Sequence, residues 1–472
     1  MSEFDLIVIG GGEAGIAAAL RGAQLGAKVC LIDREQELGG GCVKTGTLPS
    51  KTLSNAARFL ESLKNARRYG IRLDENPRPD FKAILESRHK TTLCELGVLA
   101  THIKRSGVEV IRGEASFAGP KAVVVRKPDG GRLELEAARF IIAAGSRPVE
   151  LPGLKYDGRT VISTDELTSR ERIPDRMLIV GAGVVGCEMA FIFRALGAAV
   201  TLVEKTPAAL PGLDRDIAAV IAREFKRRGV EFLPATTVDR AAPAGPDRVR
   251  ASLSDGKTVE ADFVLVAAGR VPNTSGLNLA AAGVETGARS EILVDERMAT
   301  SAAGIYAAGD VLSRIMLSSV AVVEARVAAE NALGHASIMD YRAAPWGIYT
   351  DPEIGAVGLT EEQAAAQGTK IFTGRCGLNE LVRSCLDGNI TGFIKLIFEE
   401  EGRRLVGAHI VGQDAAELIH FAAACVRLGA TAEDIKDMIF NHPTISEGFA
   451  KAAAEAAGHP RAAAAGPGPK AG

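Results

Sequence analysis

The stretch from Gly39 to Lys51 combines residue types that can do redox or proton chemistry, and it reads G-G-G-C-V-K-T-G-T-L-P-S-K. Its cysteine is Cys42, and Thr47 follows five residues later. A thiol has an ordinary pKa of about 8.5 and ionises more readily at a helix start, where the pattern places Cys42, whereas a threonine hydroxyl group supplies no thiolate at neutral pH. Cys42 therefore has no local disulfide partner, and electrons that reach a cofactor beside it must leave by another route.

A glycine-rich motif precedes this stretch. The apolar run Phe4–Gly10 predicts a buried parallel strand, and G-G-G-E-A-G, an Ala/Leu-rich helix and a second strand ending in Asp33 follow it. Strand, G-x-G-x-x-G, helix, strand and terminal acid together indicate a dinucleotide site. We expect Gly10 to make the tight turn and Gly12 to admit the pyrophosphate. Gly15 would pack the helix against the strand, and Asp33 would hold a ribose diol.

A second complete fingerprint begins about 170 residues after the first. A strand leads into the motif Gly181-Ala-Gly183-Val-Val-Gly186, and the next strand ends in Glu204. Because each unit holds one pyrophosphate at its helix N-terminus, two fingerprints predict two dinucleotides. The carboxylate of Glu204 lies where the adenosine ribose binds and would repel a 2′-phosphate, which favours NAD over NADP.

The rest of the chain carries weaker signals. Gly304–Val311 is an apolar strand that ends in glycine with Asp310 beyond it, which fits either a cofactor site or a turn with a helix cap. Residues 53–107 have the pattern of two amphipathic helices, and residues 108–142 that of a small β excursion. From residue 344 onward the pattern is that of an α+β domain, in which His442 lies in the motif F-N-H-P-T-I-S-E with Glu447 nearby.

Composition excludes several classes of protein. The 472 residues are 47% hydrophobic and carry a net charge of -2, which implies no nucleic-acid or acidic-membrane partner. No apolar run approaches the roughly 20 residues of a membrane span, and the acidic N-terminus does not resemble a secretory signal. The seven cysteines show neither disulfide nor zinc spacing, so we expect a cytoplasmic protein without a metal site.

With these pieces in place, the chain resembles the pyridine nucleotide-disulphide oxidoreductases from Phe4 to about Ala454. The resemblance implies an α/β fold of the glutathione reductase type, with two Rossmann-like domains and a C-terminal α+β dimerisation domain. The FAD-binding domain would cover residues 1–148 and 273–340, the NAD(P)-binding domain 149–272, and the interface domain 341–457. The Ala/Gly/Pro-rich residues 458–472 would form a disordered tail. Family members are usually homodimers.

The resemblance also implies roles for individual residues. FAD would be bound by residues of the first fingerprint, the redox stretch and the later strands: Gly10, Gly12, Gly15, Asp33, Gly41, Lys51, Gly145 and Asp310. The nicotinamide dinucleotide would be bound by residues of the second fingerprint and its closing turn: Gly181, Gly183, Gly186, Glu204 and Gly269. Lys51 and Glu188 match the pair that the family places near flavin N5, with a plain surface ion pair as the alternative.

Within this family the redox stretch looks most like that of the soluble pyridine nucleotide transhydrogenases, which keep the first cysteine and have threonine at the second position. That resemblance implies hydride transfer between NAD(H) and NADP(H) through the flavin. Two features depart from it. His442 and Glu447 match the proton-managing pair of the disulphide reductases, and Glu204 disfavours NADPH.

Three other hypotheses stay open. An NADH-driven reductase could pass electrons from the flavin to a small acceptor such as a quinone. Dihydrolipoamide or disulphide chemistry could run through Cys42 alone or with Cys376 or Cys385, although a single thiol has no local partner to resolve a mixed disulfide. A non-catalytic subunit could bind FAD for structure, but that role needs no nicotinamide site. The candidate catalytic residues are therefore Cys42, Thr47, Lys51, Glu188, His442 and Glu447.

Overall fold

The structure is a computed structural model, and it describes residues 3–73, 77–167, 170–245 and 247–458. Its α-helices are α1 (Glu13–Gln24), α2 (Gly40–Lys44), α3 (Thr47–Lys64), α4 (Phe81–Ser106), α5 (Val184–Ala195), α6 (Arg215–Arg228), α7 (Ser318–Ala332), α8 (Glu361–Ala366), α9 (Val382–Asp387), α10 (Ala415–Leu428), α11 (Ala432–Lys436) and α12 (Glu447–Ala457). Short 3-10 helices cover Ala66–Tyr69, Leu279–Ala282, Gly309–Leu312 and Leu378–Glu380.

The strands of the first half are β1 (Phe4–Ile9), β2 (Val29–Asp33), β3 (Glu109–Arg112), β4 (Glu114–Gly119), β5 (Ala122–Arg126), β6 (Arg132–Ile142), β7 (Ser146–Pro148), β8 (Val161–Ser163), β9 (Arg176–Val180), β10 (Ala199–Val203) and β11 (Glu231–Leu233). Those of the second half are β12 (Val238–Pro243), β13 (Val249–Leu253), β14 (Thr258–Ala261), β15 (Phe263–Val266), β16 (Arg270–Pro272), β17 (Ile305–Ala307), β18 (Trp346–Ile348), β19 (Ile354–Gly358), β20 (Ile371–Gly377), β21 (Phe393–Glu399) and β22 (Leu405–Val411).

The described residues form two compact units. The first consists of the described residues within Met1–Gly181, Ala195–Ala199 and Thr237–Asp340, and the second of those within Ala182–Arg194, Val200–Thr236 and Tyr341–Gly472. The division predicted from the sequence, into four ordered segments, stays a prediction. Of the predicted disordered tail, all residues after Gly458 lie outside the described part of the chain.

The first unit is built on a seven-stranded sheet in the order β3-β2-β1-β6-β5-β4, with β17 also paired to β6. Strand β1 runs parallel to β2 and β6, while β4 and β5 are antiparallel to their neighbours. The six residues of β1 are buried except Asp5, as expected of a central parallel strand. Helix α1 and helix α7 pack against each other on this sheet's core, through Ala18 and Ala325 among other small buried residues.

Three smaller sheets complete the first unit. Strand β15 runs parallel to β8 and β9, the order β12-β13-β14 forms an antiparallel meander, and β7 pairs with β16. The helices α3 and α4 confirm the amphipathic pair expected over residues 53–107, although each differs from that range at its ends. Strands β3 to β6 confirm the β excursion, with a turn at residues 128–130.

The second unit contains a five-stranded antiparallel sheet in the order β18-β19-β22-β21-β20, and β10 pairs with β11 in parallel. Helix α12 packs closely on β20, since a Cβ atom at Gly374 would lie 1.9 Å from the carbonyl oxygen of Ala452. Phe449 of α12 and Ile394 of β21 are fully buried in the core between helix and sheet. This arrangement is the α+β domain that the sequence predicts from residue 344 onward.

A buried ion cluster, which the sequence does not reveal, lies in the second unit. The ammonium group of Lys395 is 2.9 Å from a carboxylate oxygen of Asp214 and 2.9 Å from one of Asp216, and it also pairs with Glu361. Lys395 is 3% exposed and Asp214 is fully buried. Asp214 also accepts a hydrogen bond from the N–H group of Asp216 at the start of α6. The cluster therefore fixes the start of α6 to strand β21.

Candidate functional site

The first glycine motif forms a tight turn that only glycine fits. Gly10 has φ +107°, and a Cβ atom there would lie 2.2 Å from the carbonyl oxygen of Ala143. A Cβ atom at Gly15 would lie 1.7 Å from the carbonyl oxygen of Gly10. At Gly12, by contrast, a Cβ atom would meet only the Cα atom of Gly40, at 3.7 Å. Strand β1 and helix α1 thus approach at Gly15, while space is left beside Gly12.

This turn is suited to the pyrophosphate of FAD. Gly12 caps α1 and has no side chain, so the first N–H groups of the helix remain available for an anion. The carboxylate of Asp33 accepts a hydrogen bond from the N–H group of Gly11 and, through its other oxygen, one of 2.7 Å from the N–H group of Glu35. Asp33 therefore has a fixed position at the end of β2, where a ribose diol would meet it.

Asp310 belongs to a polar network within the first unit. The Ser146 hydroxyl group donates a hydrogen bond of 2.5 Å to Asp310 and accepts one of 2.8 Å from Nε of Arg270. Arg270 also pairs with Asp165 at 2.8 Å. Gly145, next to Ser146, has φ +69°. Asp310 follows strand β17 in a 3-10 helix and does not cap an α-helix, so the alternative interpretation as a helix cap is wrong.

The predictions missed Ser146, Arg270 and Asp165. They are far apart in the sequence, and no local spacing links them. The only available signal was that Ser146 and Arg270 each follow a strand that ends in A-A-G, at residues 143–145 and 267–269. Gly269 has φ +108°, and its carbonyl oxygen accepts a hydrogen bond of 3.1 Å from the N–H group of Val149. The two A-A-G turns thus lead into the paired strands β7 and β16.

The second glycine motif repeats the geometry of the first. Gly181, in the first unit, has φ +102°, and a Cβ atom there would lie 2.6 Å from the carbonyl oxygen of Ala267. In the second unit, Glu204 is 5% exposed and accepts hydrogen bonds from the N–H group of Ala182 at 2.7 Å and from the N–H and hydroxyl groups of Thr206, both at 2.9 Å. The carboxylate of Glu204 thus accepts a hydrogen bond from a backbone N–H group of the second motif, as the carboxylate of Asp33 does from Gly11 of the first.

Helix α5 begins within this second motif. Gly186 is buried in its first turn, and the carbonyl oxygen of Gly183 accepts a hydrogen bond of 3.0 Å from the N–H group of Cys187. A Cβ atom at Gly183 would meet no atom within 4 Å. The motif therefore leaves room beside Gly183, as the first motif does beside Gly12.

The redox stretch forms two consecutive helices. Cys42 lies in the five-residue α2, and Thr47 is the first residue of α3. The carbonyl oxygen of Gly41 accepts a hydrogen bond of 2.6 Å from the N–H group of Gly46, which closes the turn between the helices. The side chains of Ser318, Thr47 and Glu13 are the polar groups that shift the pKa of the Cys42 thiol.

These contacts make Cys42 a poor nucleophile. Burial raises the pKa of the Cys42 thiol, the Glu13 carboxyl group raises it further, and the hydroxyl groups of Ser318 and Thr47 only partly oppose this. The expectation of ready ionisation at a helix start is therefore wrong, because burial outweighs the helix terminus. All seven cysteines lie in the described ranges, and none of them forms a disulfide.

Lys51 and Glu188 lie in different units. Lys51 is half-buried in α3. Glu188 is 3% exposed in α5, and its carboxylate accepts a hydrogen bond of 2.9 Å from the N–H group of Tyr349. The segment that follows Tyr349 is held by an ion pair of 2.6 Å between Asp351 and Arg228. Glu188 is thus a buried residue, and its predicted role with Lys51 stays a prediction.

His442 and Glu447 meet in the second unit as predicted. Nδ1 of His442 donates a hydrogen bond of 2.9 Å to Glu447, whose other oxygen accepts one of 3.0 Å from the N–H group of Thr444. The hydrogen bonds from Thr444 and then His442 lower the pKa of the Glu447 carboxyl group. The His442 side chain is 64% exposed, so its Nε2 atom is accessible.

Residues 3–73, 77–167, 170–245 and 247–458 contain no group of histidine, cysteine and acidic side chains arranged to hold a metal ion. Within the same ranges, none of the helices combines the length and the apolar character of a membrane span.

Comparison with known families gives matches over nearly the whole chain. The family model described as pyridine nucleotide-disulphide oxidoreductase matches residues 4–325. The model described as the dimerisation domain of pyridine nucleotide-disulphide oxidoreductases matches residues 344–453.

Curated relatives and solved structures agree with these matches. The dihydrolipoyl dehydrogenase of Thermus scotoductus is 38% identical over 457 residues, which cover 96% of this chain and 97% of the relative. The dihydrolipoyl dehydrogenase of Chlorobaculum parvum is 36% identical, with the same coverage. The crystal structure of LpdA from Mycobacterium tuberculosis has a TM-score of 0.89 at 30% identity and covers 95% of this chain and 99% of that one. These matches confirm the predicted fold class and the predicted cofactors, FAD and a nicotinamide dinucleotide.

Proposed function

Because the chain belongs to the pyridine nucleotide-disulphide oxidoreductase family, we propose that it is an NADH-dependent FAD oxidoreductase that uses no disulfide of its own. In this proposal a small acceptor collects the electrons directly at the flavin. The observation that carries the proposal is the contact between Cys42 and Thr47, in which the second sulfur of a redox pair is replaced by a hydroxyl group.

When bound, FAD supplies the two-electron chemistry, since it can accept a hydride from NADH and pass it to a second acceptor. The residues of this chain bind and orient it. Asp33 and the start of α1 would hold the adenosine half, and Asp310, fixed by Ser146, would hold the ribityl chain. Lys51 would lie beside the reactive ring.

Cys42 stays a thiol in this proposal. Burial raises the pKa of its thiol, and the hydroxyl groups of Ser318 and Thr47 lower that pKa only in part. A disulfide exchange needs an attacking thiolate and a resolving thiol, and position 47 offers neither. Electrons therefore cannot be stored on sulfur at this site.

Glu204 supports NADH as the electron donor. Its carboxylate is held by Ala182 and Thr206 at the end of β10, where the adenosine ribose binds. A 2′-phosphate at that position would meet a buried negative charge. We therefore infer that NADH binds in preference to NADPH.

A quinone is the acceptor that this arrangement favours. It is small, it takes two electrons without a thiol, and it requires no second nucleotide. Transhydrogenation between NAD(H) and NADP(H) is the second candidate, supported by the redox motif with its threonine at position 47. Transhydrogenation needs NADP(H), which Glu204 disfavours, and we therefore rank it second to quinone reduction.

Oxidation of dihydrolipoamide, or reduction of a disulfide, is supported by the names of the relatives and by the His442–Glu447 pair. Those relatives are dihydrolipoyl dehydrogenases, and here the second thiol of such chemistry is missing. The matched dimerisation domain supports a homodimer, in which the exposed Nε2 atom of His442 would face a partner. We propose a cytoplasmic homodimer on this basis.

Anaerobic stopped-flow spectroscopy tests the proposal. The purified yellow protein is mixed with NADH or NADPH, and the reduced flavin is then mixed with a water-soluble benzoquinone, an NAD analogue or lipoamide. We expect fast reduction by NADH and reoxidation by the benzoquinone. Reoxidation by the NAD analogue, with fast reduction by both nucleotides, would establish transhydrogenation instead. Reoxidation by lipoamide alone would contradict direct transfer from the flavin.

A further inference from the structure

An acidic side chain is buried within helix α7. Glu324 is 1% exposed, whereas the other buried residues of this helix are valines and alanines. Burial of an acid is unfavourable unless its oxygen atoms are hydrogen-bonded, and buried polar groups in folded proteins nearly always have such a partner. The group that Glu324 contacts therefore indicates what this side chain does.

The carboxyl group of Glu324 binds the backbone just before Asp310. It accepts a hydrogen bond of 2.8 Å from the N–H group of Gly309, which lies 15 residues earlier in the chain. Gly309 is the first residue of the 3-10 helix Gly309–Leu312 and has φ +81°, a conformation that glycine adopts readily. Because Asp310 is the next residue, the orientation of Gly309 determines where the backbone of Asp310 lies.

The turn at Gly309 is closely packed in the first unit. A Cβ atom at Gly309 would lie 3.1 Å from the Cβ atom of Ala14 in α1 and 3.5 Å from that of Ala321 in α7. The N–H group of Ala308 donates a hydrogen bond of 3.0 Å to the carbonyl oxygen of Ile142 at the end of β6. The turn thus lies against α1, α7 and β6, and Glu324 adds a polar contact from α7.

The side chain of Asp310 is held by a different group. The hydroxyl group of Ser146 donates a hydrogen bond of 2.5 Å to the Asp310 carboxylate. Ser146 is itself held by Arg270, whose Nε and Nη2 atoms donate to its hydroxyl and carbonyl oxygens at 2.8 and 3.0 Å. Glu324 therefore fixes the backbone that leads into Asp310, while Ser146 fixes its carboxylate.

We propose that Glu324 is a positioning residue for FAD, which acts through Gly309 on Asp310. This role rests on the proposed function, in which Asp310 holds the ribityl chain, but it does not depend on which acceptor receives the electrons. A carboxylate that is already held in place loses little conformational freedom when the cofactor binds, so binding is tighter. Without the Glu324 carboxyl group, the N–H group of Gly309 would lose its acceptor, and FAD would have to order the turn as it binds.

Release of FAD from the full-length holoenzyme measures this contribution. The holoenzyme is diluted, and the fluorescence of the released FAD gives the release rate. Glu324→Met keeps a long side chain in the core but removes the acceptor, and we expect it to speed release about 10-fold or more, the scale of a buried N–H group left unpaired. Glu324→Gln should restore most of the difference, because its amide oxygen can accept the same hydrogen bond.

A double-mutant cycle shows whether Glu324 acts through Asp310. Asp310→Ala alone should speed FAD release, and Glu324→Met should add little in that background. Glu330→Met is the matched control, since it removes an acid of α7 that pairs with Arg21 at 2.8 Å, and it should leave the release rate unchanged. An equal effect of Glu324→Met in both backgrounds, or a Glu324→Gln variant as fast as Glu324→Met, would overturn the positioning role.

The outcomes also separate this role from the proposed function. An unchanged release rate in Asp310→Ala would show that Asp310 does not hold the cofactor, and would overturn the positioning role with it. Failure of the wild-type holoenzyme to reduce a benzoquinone would overturn the proposed acceptor alone, because FAD release is measured without turnover.

Hydrogen exchange in the wild-type protein tests the contact without any variant. Exchange of the Gly309 amide is followed by mass spectrometry in the holoenzyme and in the full-length protein from which FAD has been removed. We expect this amide to be protected in both, because Glu324 accepts its hydrogen bond independently of the cofactor. Protection that disappears together with FAD would show that the cofactor orders the turn, and would overturn the positioning role.

Discussion

The hydroxyl group of Thr47 lowers the pKa of the Cys42 thiol, at the position where a redox disulfide would otherwise close. The two side chains are neighbours because α2 ends and α3 begins between them, and the hydrogen bond of 2.6 Å from Gly46 to Gly41 fixes that turn. Cys42 and Thr47 thus lie on either side of one tight turn.

Thr47→Cys should restore the missing disulfide. Positions 42 and 47 lie on either side of the turn closed by the hydrogen bond from Gly46 to Gly41, so we expect two thiols there to be close enough to bond. The variant contains eight cysteines, the seven natural ones and the new one. After air oxidation and denaturation, we expect two fewer thiols to titrate than the reduced variant gives. Thr47→Ser is the matched control and should lose none, and an equal thiol count before and after oxidation of Thr47→Cys would contradict the contact.

Alkylation of Cys42 should require unusually high pH. Burial and the carboxyl group of Glu13 raise the pKa of its thiol, so the thiolate forms only above the ordinary value of about 8.5. Glutathione, an unburied thiol, provides the comparison. We expect the alkylation rate of Cys42 to keep rising with pH after that of glutathione has levelled off. A Cys42 profile that levels off at lower pH would indicate an activated thiolate.

Removal of the carboxylate of Glu204 should weaken the preference for NADH. Three hydrogen bonds, from Ala182 and Thr206, hold the carboxylate of Glu204 in place. A hydrogen bond from the ribose of NADH to this charged group would contribute about 1.5–3 kcal/mol. We expect Glu204→Ala to reduce the ratio of kcat/KM for NADH to that for NADPH about 10-fold or more. Glu231→Gln, on the exposed end of β11, should leave it unchanged. An unaltered ratio in Glu204→Ala would show that another residue determines the preference for NADH over NADPH.

Gly15→Ala should abolish FAD binding. Its Cβ atom would lie 1.7 Å from the carbonyl oxygen of Gly10, so the turn under the pyrophosphate must open. Gly97→Ala is the control, because a Cβ atom there would meet nothing within 4 Å in the middle of α4. It should keep FAD and gain about 0.5–1 kcal/mol of stability. The ratio of flavin to protein absorbance reports binding, and normal flavin content in Gly15→Ala would contradict the described turn.

Lys395→Met should destabilise the protein strongly. It would leave the fully buried Asp214 without its cation, and breaking a buried pair in this way costs about 3–5 kcal/mol. Arg404→Met removes a cation from an exposed pair with Glu399 and should cost about 0–1 kcal/mol. Urea denaturation monitored by circular dichroism gives both values. Equal losses in the two variants would show that the cluster is not structurally important.

The local features of this protein were predictable from the sequence. Each glycine motif lies between an apolar strand and a helix, and its acid follows one strand later, so Asp33 and Glu204 were found from spacing alone. The pair of His442 and Glu447 was found because the two residues are only five positions apart in one motif. All of these depend on short segments with a strong pattern.

The contacts between distant segments were not predictable. The link between Ser146 and Arg270 joins residues 124 positions apart, and that between Lys395 and Asp214 joins residues 181 positions apart. Glu13 lay inside a recognised motif, but its contact with Cys42 depends on how α1 packs beside α2. Burial of Cys42 also reversed the expected shift of its pKa, because a helix start lowers the pKa of a thiol only if the thiol stays solvated.

An anaerobic titration of the purified protein with NADH tests the central claim most directly. A flavin accepts two electrons, and an enzyme disulfide accepts two more. If no disulfide stores electrons, the flavin should be fully bleached by a single equivalent of NADH per FAD, and an equimolar benzoquinone should restore the oxidised spectrum completely. Consumption of two equivalents of NADH per FAD, with only partial recovery by an equimolar quinone, would show a second redox centre and contradict direct transfer from the flavin.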